Sequence, residues 1–248
     1  MQITCKNCNK TYTGHFCNNC GQPAATHKLN FHFIWHDIQH GFFNFDSGVL
    51  YTAKELYTKP GKSIREFIEG KRVKHFKPIS LVIILATSYG VLRHLFHFSV
   101  LDKKVVSEIQ GVEYESLNEW ISHHYYWIIL LSIPMFSLAS YVVFRKQGYN
   151  FIEHIVLNTY MASQRLILRI VIFPITKYFT ESSYNKLFVD ILMLMDIVLI
   201  FWTYITFFNN LSRIKSFLYS IYSYLLFLVI FFILLLISGL TPHAEPSL

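Results

Sequence analysis

The distribution of apolar and polar positions divides the chain near residue 77. Residues 1–77 mix polar and apolar side chains, whereas long apolar runs follow Pro78. A helix needs about 20 mostly apolar residues to cross the hydrocarbon core of a bilayer. Five stretches meet or approach this requirement, the third being the most polar: 78–98, 126–144, 151–178, 187–208 and 217–240. We therefore predict an all-α polytopic membrane protein with about five transmembrane helices.

Composition supports this division. The chain is 53% apolar and only 15% charged, whereas soluble domains are about 25% charged. An ordinary soluble enzyme and a disordered chain are both excluded. The net charge is +7, and 11 of the 22 basic residues precede the first span. Because this excess lies beside the predicted bilayer, we expect an anionic membrane surface as partner and no nucleic acid. The basic residues nearest the first span are predicted to bind lipid headgroups: Lys71, Arg72, Lys74 and Lys77.

All four cysteines lie in the first 20 residues and form two CxxC hooks. Each hook can place two thiolates on one side of a tight turn, and two facing hooks complete the tetrahedral site that zinc prefers. Four protein ligands leave no open position for chemistry. Two disulfides are the alternative, and they require an oxidising compartment. We predict a zinc ribbon over residues 1–27, with one structural Zn²⁺ bound by Cys5, Cys8, Cys17 and Cys20.

Residues 28–77 are predicted to form amphipathic, basic, membrane-proximal helices. Residues 29–45 are rich in Phe, Trp and His, which suits a helix lying in the headgroup layer. Three histidines recur there every four residues: His32, His36 and His40. We interpret them as the polar face of this helix, with a metal site as the alternative.

Two short helices should follow this segment. The first is expected to be capped by Asp46 or Ser47 and to stop at the Pro-Gly pair after residue 59. The second is predicted from Ser63 and Glu66, which have the spacing of a capping box, and from Gly70, which suits a left-handed position after a helix. Both helices would lie just before the first span.

The cysteine hooks, segments 48–52 and 59–61, and the stretch 69–78 together resemble an uncharacterised bacterial membrane family. This family is known as a domain of unknown function, with an N-terminal zinc ribbon followed by several transmembrane helices. The resemblance rests on motifs over residues 1–100 and on hydropathy beyond them. It implies a fold and a bacterial inner-membrane location, and it lends no activity and no catalytic residues.

Charges in the connections predict the orientation of the spans. The loop 99–125 is mainly acidic, whereas Arg145 with Lys146 and Arg213 with Lys215 mark the second and fourth short connections. By the positive-inside rule, the N-terminus is predicted to be cytoplasmic and the C-terminus outside. If the third stretch lay on the surface, the last basic pair would be outside, so the pattern favours five spans. The membrane domain is predicted to cover residues 78–248.

The third stretch carries many polar residues for a span, and most fall within half of a helical wheel. Ionisable residues inside a membrane are costly and are usually paired or functional. We therefore define a membrane polar cluster, which also takes two aspartates from the fourth span: Glu153, His154, Asn158, Gln164, Arg165, Arg169, Asp190 and Asp196. The cluster could be structural, joining helices, or could line a polar cavity for an ion, a proton or a lipid headgroup.

Depth along the helices predicts two ion pairs in this cluster. At 1.5 Å per residue, Arg165 should be level with Asp196, and Arg169 with Asp190. The six-residue step between the aspartates separates them by about 120° around their helix. The two pairs therefore need not form together.

An enzyme is not expected. The closely spaced histidines would have to converge to hold a di-iron pair, but the predicted topology puts the first pair inside and the other two near the outer surface: His36 and His40, His94 and His97, His123 and His124. We predict a scaffold or accessory subunit whose zinc ribbon and basic helices dock a protein partner, a second copy of the chain or anionic lipid. A small transporter or a lipid- or ion-handling protein, using the polar face of the third span, is the alternative.

Overall fold

The computed structural model describes residues 2–24, 26, 29–31, 48–96, 114–180 and 185–237. Within these ranges a two-stranded antiparallel sheet precedes seven α-helices, which confirms the predicted helical fold. The strands are β1 (Ile3–Thr4) and β2 (Thr11–Tyr12). The helices are α1 (Gly48–Thr58), α2 (Pro60–Glu69), α3 (Pro78–Leu95), α4 (Tyr114–Phe144), α5 (Phe151–Thr180), α6 (Asn185–Phe207) and α7 (Arg213–Ile237), with a 3₁₀ turn at Arg145–Gln147 after α4.

Five of these helices are long and apolar enough to cross a membrane, at the five places predicted from the sequence. The segments are Pro78–Leu95, Tyr126–Gln147, Phe151–Ile175, Leu187–Phe207 and Arg213–Leu234. The third is the central one: α3, α4 and α6 all pack against α5. Its membrane-length segment is 56% buried within the protein, against 11% for α7. A surface position for the third stretch does not fit this central packing.

Helices α1 and α2 form a hairpin that packs against α5 and α6. The Pro-Gly pair ends α1 as expected, but it also begins α2. Pro60 is the first residue of α2, where its missing N–H and fixed φ are favourable. Gly61 then lies against the backbone of Thr206 and Phe207 at the end of α6, and its N–H donates to Thr206 Oγ1 over 3.2 Å. This close approach fixes the hairpin on the bundle.

The predicted capping box at Ser63 is wrong, because α2 starts three residues earlier and Ser63 lies inside the helix. Its hydroxyl is instead buried, 3.4 Å from His75 Nδ1. The other end of α2 is as predicted. Gly70 follows the helix with φ of 107°, in the left-handed region, and the Lys71 N–H donates to the Glu66 carbonyl over 2.8 Å.

Some predicted features lie outside the described residues. They are the interfacial helix with His32, His36 and His40, the caps Asp46 and Ser47, and most of the acidic loop 99–125.

Candidate functional site

The four cysteines converge on one point. Their sulfur atoms all lie within 4.8 Å of one another, with 3.5 Å between Cys5 and Cys20 and 3.6 Å between Cys8 and Cys17. All four are free thiols, since a disulfide would bring two sulfurs to about 2.05 Å. Tetrahedral zinc with bonds of about 2.3 Å would separate its sulfur ligands by about 3.8 Å. The site therefore fits a metal ion and does not fit the disulfide alternative.

Without a bound cation, the pKa values of two of these thiols differ from each other. Burial raises the pKa of the Cys5 thiol to about 11, whereas a hydrogen bond with the Lys10 backbone lowers the pKa of Cys8 to about 6. A divalent cation would favour the thiolate at all four positions. Such a closed set of ligands could hold a structural metal, and it offers no position for a substrate.

Gln22 lies where the ribbon meets the end of α2, at Gly70, which Lys6 and Thr26 also approach. Gln22 is 1% exposed, and its side-chain amide donates to the Gly70 carbonyl and accepts from the Arg72 N–H. Its own carbonyl accepts from the Cys17 N–H over 2.9 Å, inside the second hook. Gln22 therefore links a cysteine hook to the end of α2.

The basic residues before the first span are placed in different environments. Lys71 pairs with Glu66 over 3.2 Å, and the Arg72 guanidinium lies 5.4 Å from the Phe67 ring centre. Lys74 is exposed and Lys77 is half-buried. The structure thus uses Lys71 and Arg72 partly for internal contacts, while Lys74 is the most accessible of the four.

Glu153, assigned from sequence to the membrane polar cluster, has a local structural role. Its carboxylate accepts from the Asn150 N–H over 2.8 Å, and its own N–H donates to Asn150 Oδ1 over 2.9 Å. This reciprocal pair is a capping box at the start of α5. The sequence contains the Asn-x-x-Glu spacing of this motif. Because apolar residues surround it, Glu153 was instead assigned to the interior of a span.

His154 and Asn158 take part in a buried hydrogen-bonded network. His154 Nδ1 is 2.9 Å from Ser140 Oγ of α4, and Asn158 Nδ2 donates to the same Ser140 oxygen over 3.0 Å. Asn158 Oδ1 accepts from the Tyr204 hydroxyl of α6 over 2.8 Å. The network therefore connects α4, α5 and α6. Sequence reasoning missed Ser140 and Tyr204, because hydroxyl residues are common in apolar spans.

Gln164 joins α5 to two other elements. Its side chain donates to the Leu56 carbonyl of α1 over 2.6 Å and accepts from Thr203 Oγ1 of α6 over 3.1 Å. The Tyr57 hydroxyl donates to the Gln164 backbone carbonyl. This part of the polar cluster holds the α1–α2 hairpin against the bundle.

The ion pairs predicted from depth are wrong in detail. Asp196 pairs with Arg169, and not with Arg165. Asp190 is exposed and forms no ion pair with another described residue. The physical reason is angular: Asp190 and Asp196 are about 120° apart around α6, so one faces α5 and the other does not.

Arg165 lies beside the Arg169–Asp196 pair. Its guanidinium carbon is 5.6 Å from the ring centre of Phe136 in α4. Arg165, Arg169 and Asp196 line a half-open cavity of about 130 Å³ between α4, α5 and α6, together with Ser132 and apolar side chains. The predicted cluster is thus divided into hydrogen bonds near the start of α5 and a charged cavity farther along it.

Sequence reasoning also missed Arg65. Its guanidinium donates to the carbonyls of Thr206 and Phe207, the latter over 2.7 Å. These carbonyls end α6 and have no partner within the helix, so a cation there is favourable. An arginine in a short basic helix gave no sequence signal for this contact.

Fold and site together define a multi-helix membrane-type protein that carries a four-cysteine module at its N-terminal end. A family model described as "Protein of unknown function (DUF3667)" matches residues 46–90, which cover α1, α2 and most of α3. A domain of unknown function is therefore found over residues 46–90, whereas a family that also includes the cysteine module, and its bacterial origin, stay predictions. No curated protein and no solved structure matches the chain significantly.

Proposed function

We propose that this protein is a non-enzymatic membrane scaffold or accessory subunit whose ribbon docks a protein partner. The observation that supports the proposal is an exposed aromatic side chain on a ribbon that is hydrogen-bonded to α2. Phe16 precedes Cys17 and is 62% exposed, while Gln22 binds the same hook to the end of α2. Exposed aromatic side chains are typical anchors of protein interfaces.

The metal in this proposal is zinc, in a closed Cys₄ site that folds the ribbon. The module has only a small buried cluster of its own, formed by the cysteines and Tyr12. A structural metal supplies the folding free energy that such a small core lacks. The role of the metal is to fix the position of Phe16 by folding the ribbon.

Exposed basic side chains support an acidic partner or an anionic lipid surface. They lie on the hairpin, between α2 and α3, after α4 and in the first turn of α7: Lys54, Lys59, Lys62, Lys74, Arg145, Lys146, Arg213 and Lys215. With five spans, those after α4 and at the start of α7 lie at the same end of the bundle as the ribbon. By the positive-inside rule this end is cytoplasmic, in a bacterial inner membrane, and the C-terminus is outside.

The transport alternative has weaker support. His154, Asn158 and Gln164 form hydrogen bonds with side chains and carbonyls of α4, α6 and α1, which supports a structural role for this part of the polar cluster.

Site-specific crosslinking tests the docking proposal. A photoreactive phenylalanine analogue at position 16 should give a discrete protein adduct in native membranes, and the adduct should disappear when Cys17→Ser removes one metal ligand. The matched control is the analogue at Phe232 of α7, which is 64% exposed on an apolar helix and should give no metal-dependent adduct. Lipid adducts alone at position 16 would favour the membrane as partner. Absence of any metal-dependent adduct would contradict docking through the ribbon.

A further inference from the structure

The cavity between α4, α5 and α6 has charged residues in its lining. Its volume of about 130 Å³ is well above the ~10–15 Å³ that a single water needs. Its described charged lining consists of Arg165, Arg169 and Asp196. Two guanidinium groups therefore share a half-open space with one carboxylate.

The two arginines are held in different ways. Arg169 pairs with Asp196, and the two side chains are only 19% and 12% exposed. Arg165 lies over the Phe136 ring, which orients a cation without adding negative charge. The described lining residues of the cavity therefore carry two positive charges and one negative charge.

The depth of the cavity makes this charge effective. Asp196 lies near the middle of the apolar segment Leu187–Phe207. Low-dielectric walls focus the field of a charge and raise the local concentration of counter-ions. The planar guanidinium group is also the side chain best shaped to bind carboxylate and phosphate oxygens.

We propose that this cavity binds an oxyanion, a carboxylate or phosphate group, through Arg165 and Arg169, with Asp196 orienting Arg169. The anion comes either from solution, as a small free ion, or from the headgroup of an anionic lipid entering between the helices. This site is separate from the ribbon and does not depend on the docking proposal.

Charge-selective labelling in the full-length protein tests the proposal. Ser132 lines the cavity and is close in size to cysteine, so Ser132→Cys places a thiol there. The rates of modification by an anionic sulfonatoethyl and a cationic trimethylammonium methanethiosulfonate are compared by mass spectrometry of the peptide holding residue 132, which separates it from the ribbon cysteines. Free N-acetylcysteine gives the intrinsic rate ratio of the two reagents.

We expect the anionic reagent to be favoured at position 132 by at least about tenfold over the reference ratio. Adding Arg165→Gln should remove the preference, whereas Arg165→Lys, which keeps the charge, should retain it. Both variants leave the Arg169–Asp196 pair intact, and unchanged elution in size exclusion shows that they are folded.

Protection from the anionic reagent identifies the source of the oxyanion. Slower labelling with inorganic phosphate indicates a free anion, and slower labelling with phosphatidylglycerol in mixed detergent micelles indicates a lipid headgroup. A rate ratio equal to that of N-acetylcysteine, equal ratios in the Gln and Lys variants, or protection by neither probe would overturn the proposal.

Discussion

Single residues decide how closely the hairpin approaches the bundle. Gly61 of α2 lies directly against the backbone of Thr206 and Phe207, and a Cβ there would overlap both. Gly90 of α3 shows the opposite case, because the nearest atom to an added Cβ is Tyr126 Cδ1 at 3.9 Å. One glycine is required by packing, and the other is not.

Gly61→Ala should therefore lower the free energy of unfolding by about 1–3 kcal/mol, since a backbone cannot yield as a side chain can. Gly90→Ala should be neutral or stabilising by up to about 1 kcal/mol, because alanine favours the helix. Thermal midpoints in detergent, followed by size exclusion, measure both. Equal midpoints for the two variants would contradict the close contact.

A second residue-scale effect concerns His75. It lies at the edge of the Tyr51 and Phe67 rings, and burial lowers the pKa of its imidazole below 6.5, against the opposing charges of Glu66 and Glu55. In the unfolded chain the imidazole binds a proton as the pH falls through about 6.5, whereas the folded chain resists this. Stability present at neutral pH is therefore lost on acidification.

His75→Gln should reduce this loss, because glutamine does not titrate. The measurement is the change in thermal midpoint between pH 7 and pH 5 for the variant and the parent chain. Subtracting the change in the variant from the change in the parent chain gives the contribution of His75, because the other histidines are present in both. A variant that loses as much stability on acidification as its parent would disprove the role of His75.

At the scale of elements, α5 organises the bundle through two kinds of polar contact. Residues 154–164 form hydrogen bonds with α1, α4 and α6, and Arg165 and Arg169 directly after them line the cavity. The ion pair with Asp196 is partly shielded from solvent. Removal of one partner would leave an uncompensated charge, which is more costly than the absence of both.

Asp196→Asn should lower the free energy of unfolding by about 3 kcal/mol. The exchange of charges, Arg169→Asp with Asp196→Arg, should restore most of the loss. Arg165→Asp with Asp196→Arg is the matched control and should not restore it. Thermal midpoints of the three variants measure the effect, and rescue by the Arg165 exchange alone would contradict the observed pairing.

Sequence predictions were accurate where they depended on residues close together in the chain, and less accurate where they depended on contacts between helices. Cysteine spacing and long apolar runs are local signals, so the four-thiol site and the five spans were predictable. The partner of Asp196 depends on the rotation of α5 against α6, which hydropathy does not determine. Two sequence patterns had the spacing of a capping box, Ser63 with Glu66 and Asn150 with Glu153. Only the second pattern forms a capping box, because Ser63 lies inside its helix.

At the scale of the whole molecule, the ribbon and the membrane domain have separate cores. The ribbon core contains the cysteines and Tyr12, whereas the largest core joins α1 and α2 to α4, α5 and α6. Gln22 forms a connection between them. The two units should therefore lose structure independently.

If the four thiols hold the proposed metal, its removal by a chelator should unfold the ribbon and leave the helices intact. We expect faster tryptic cleavage after Lys71 and Arg72, because the unfolded ribbon releases Gln22 from the end of α2. Helical circular dichroism should stay unchanged. Gln22→Ala is the control: it should keep the metal and still show faster cleavage. A large loss of helical signal on chelation would show that the two cores are coupled.

The close backbone contact between Gly61 and α6 also has a mechanical consequence. The ribbon is attached through Gln22 to one end of α2, and at the other end of α2 Gly61 lies directly against the backbone of the last turn of α6. Arg65 adds a second attachment at the same turn. A load applied to the ribbon would consequently be transmitted to α6 as a tilt, with α2 acting as a short lever.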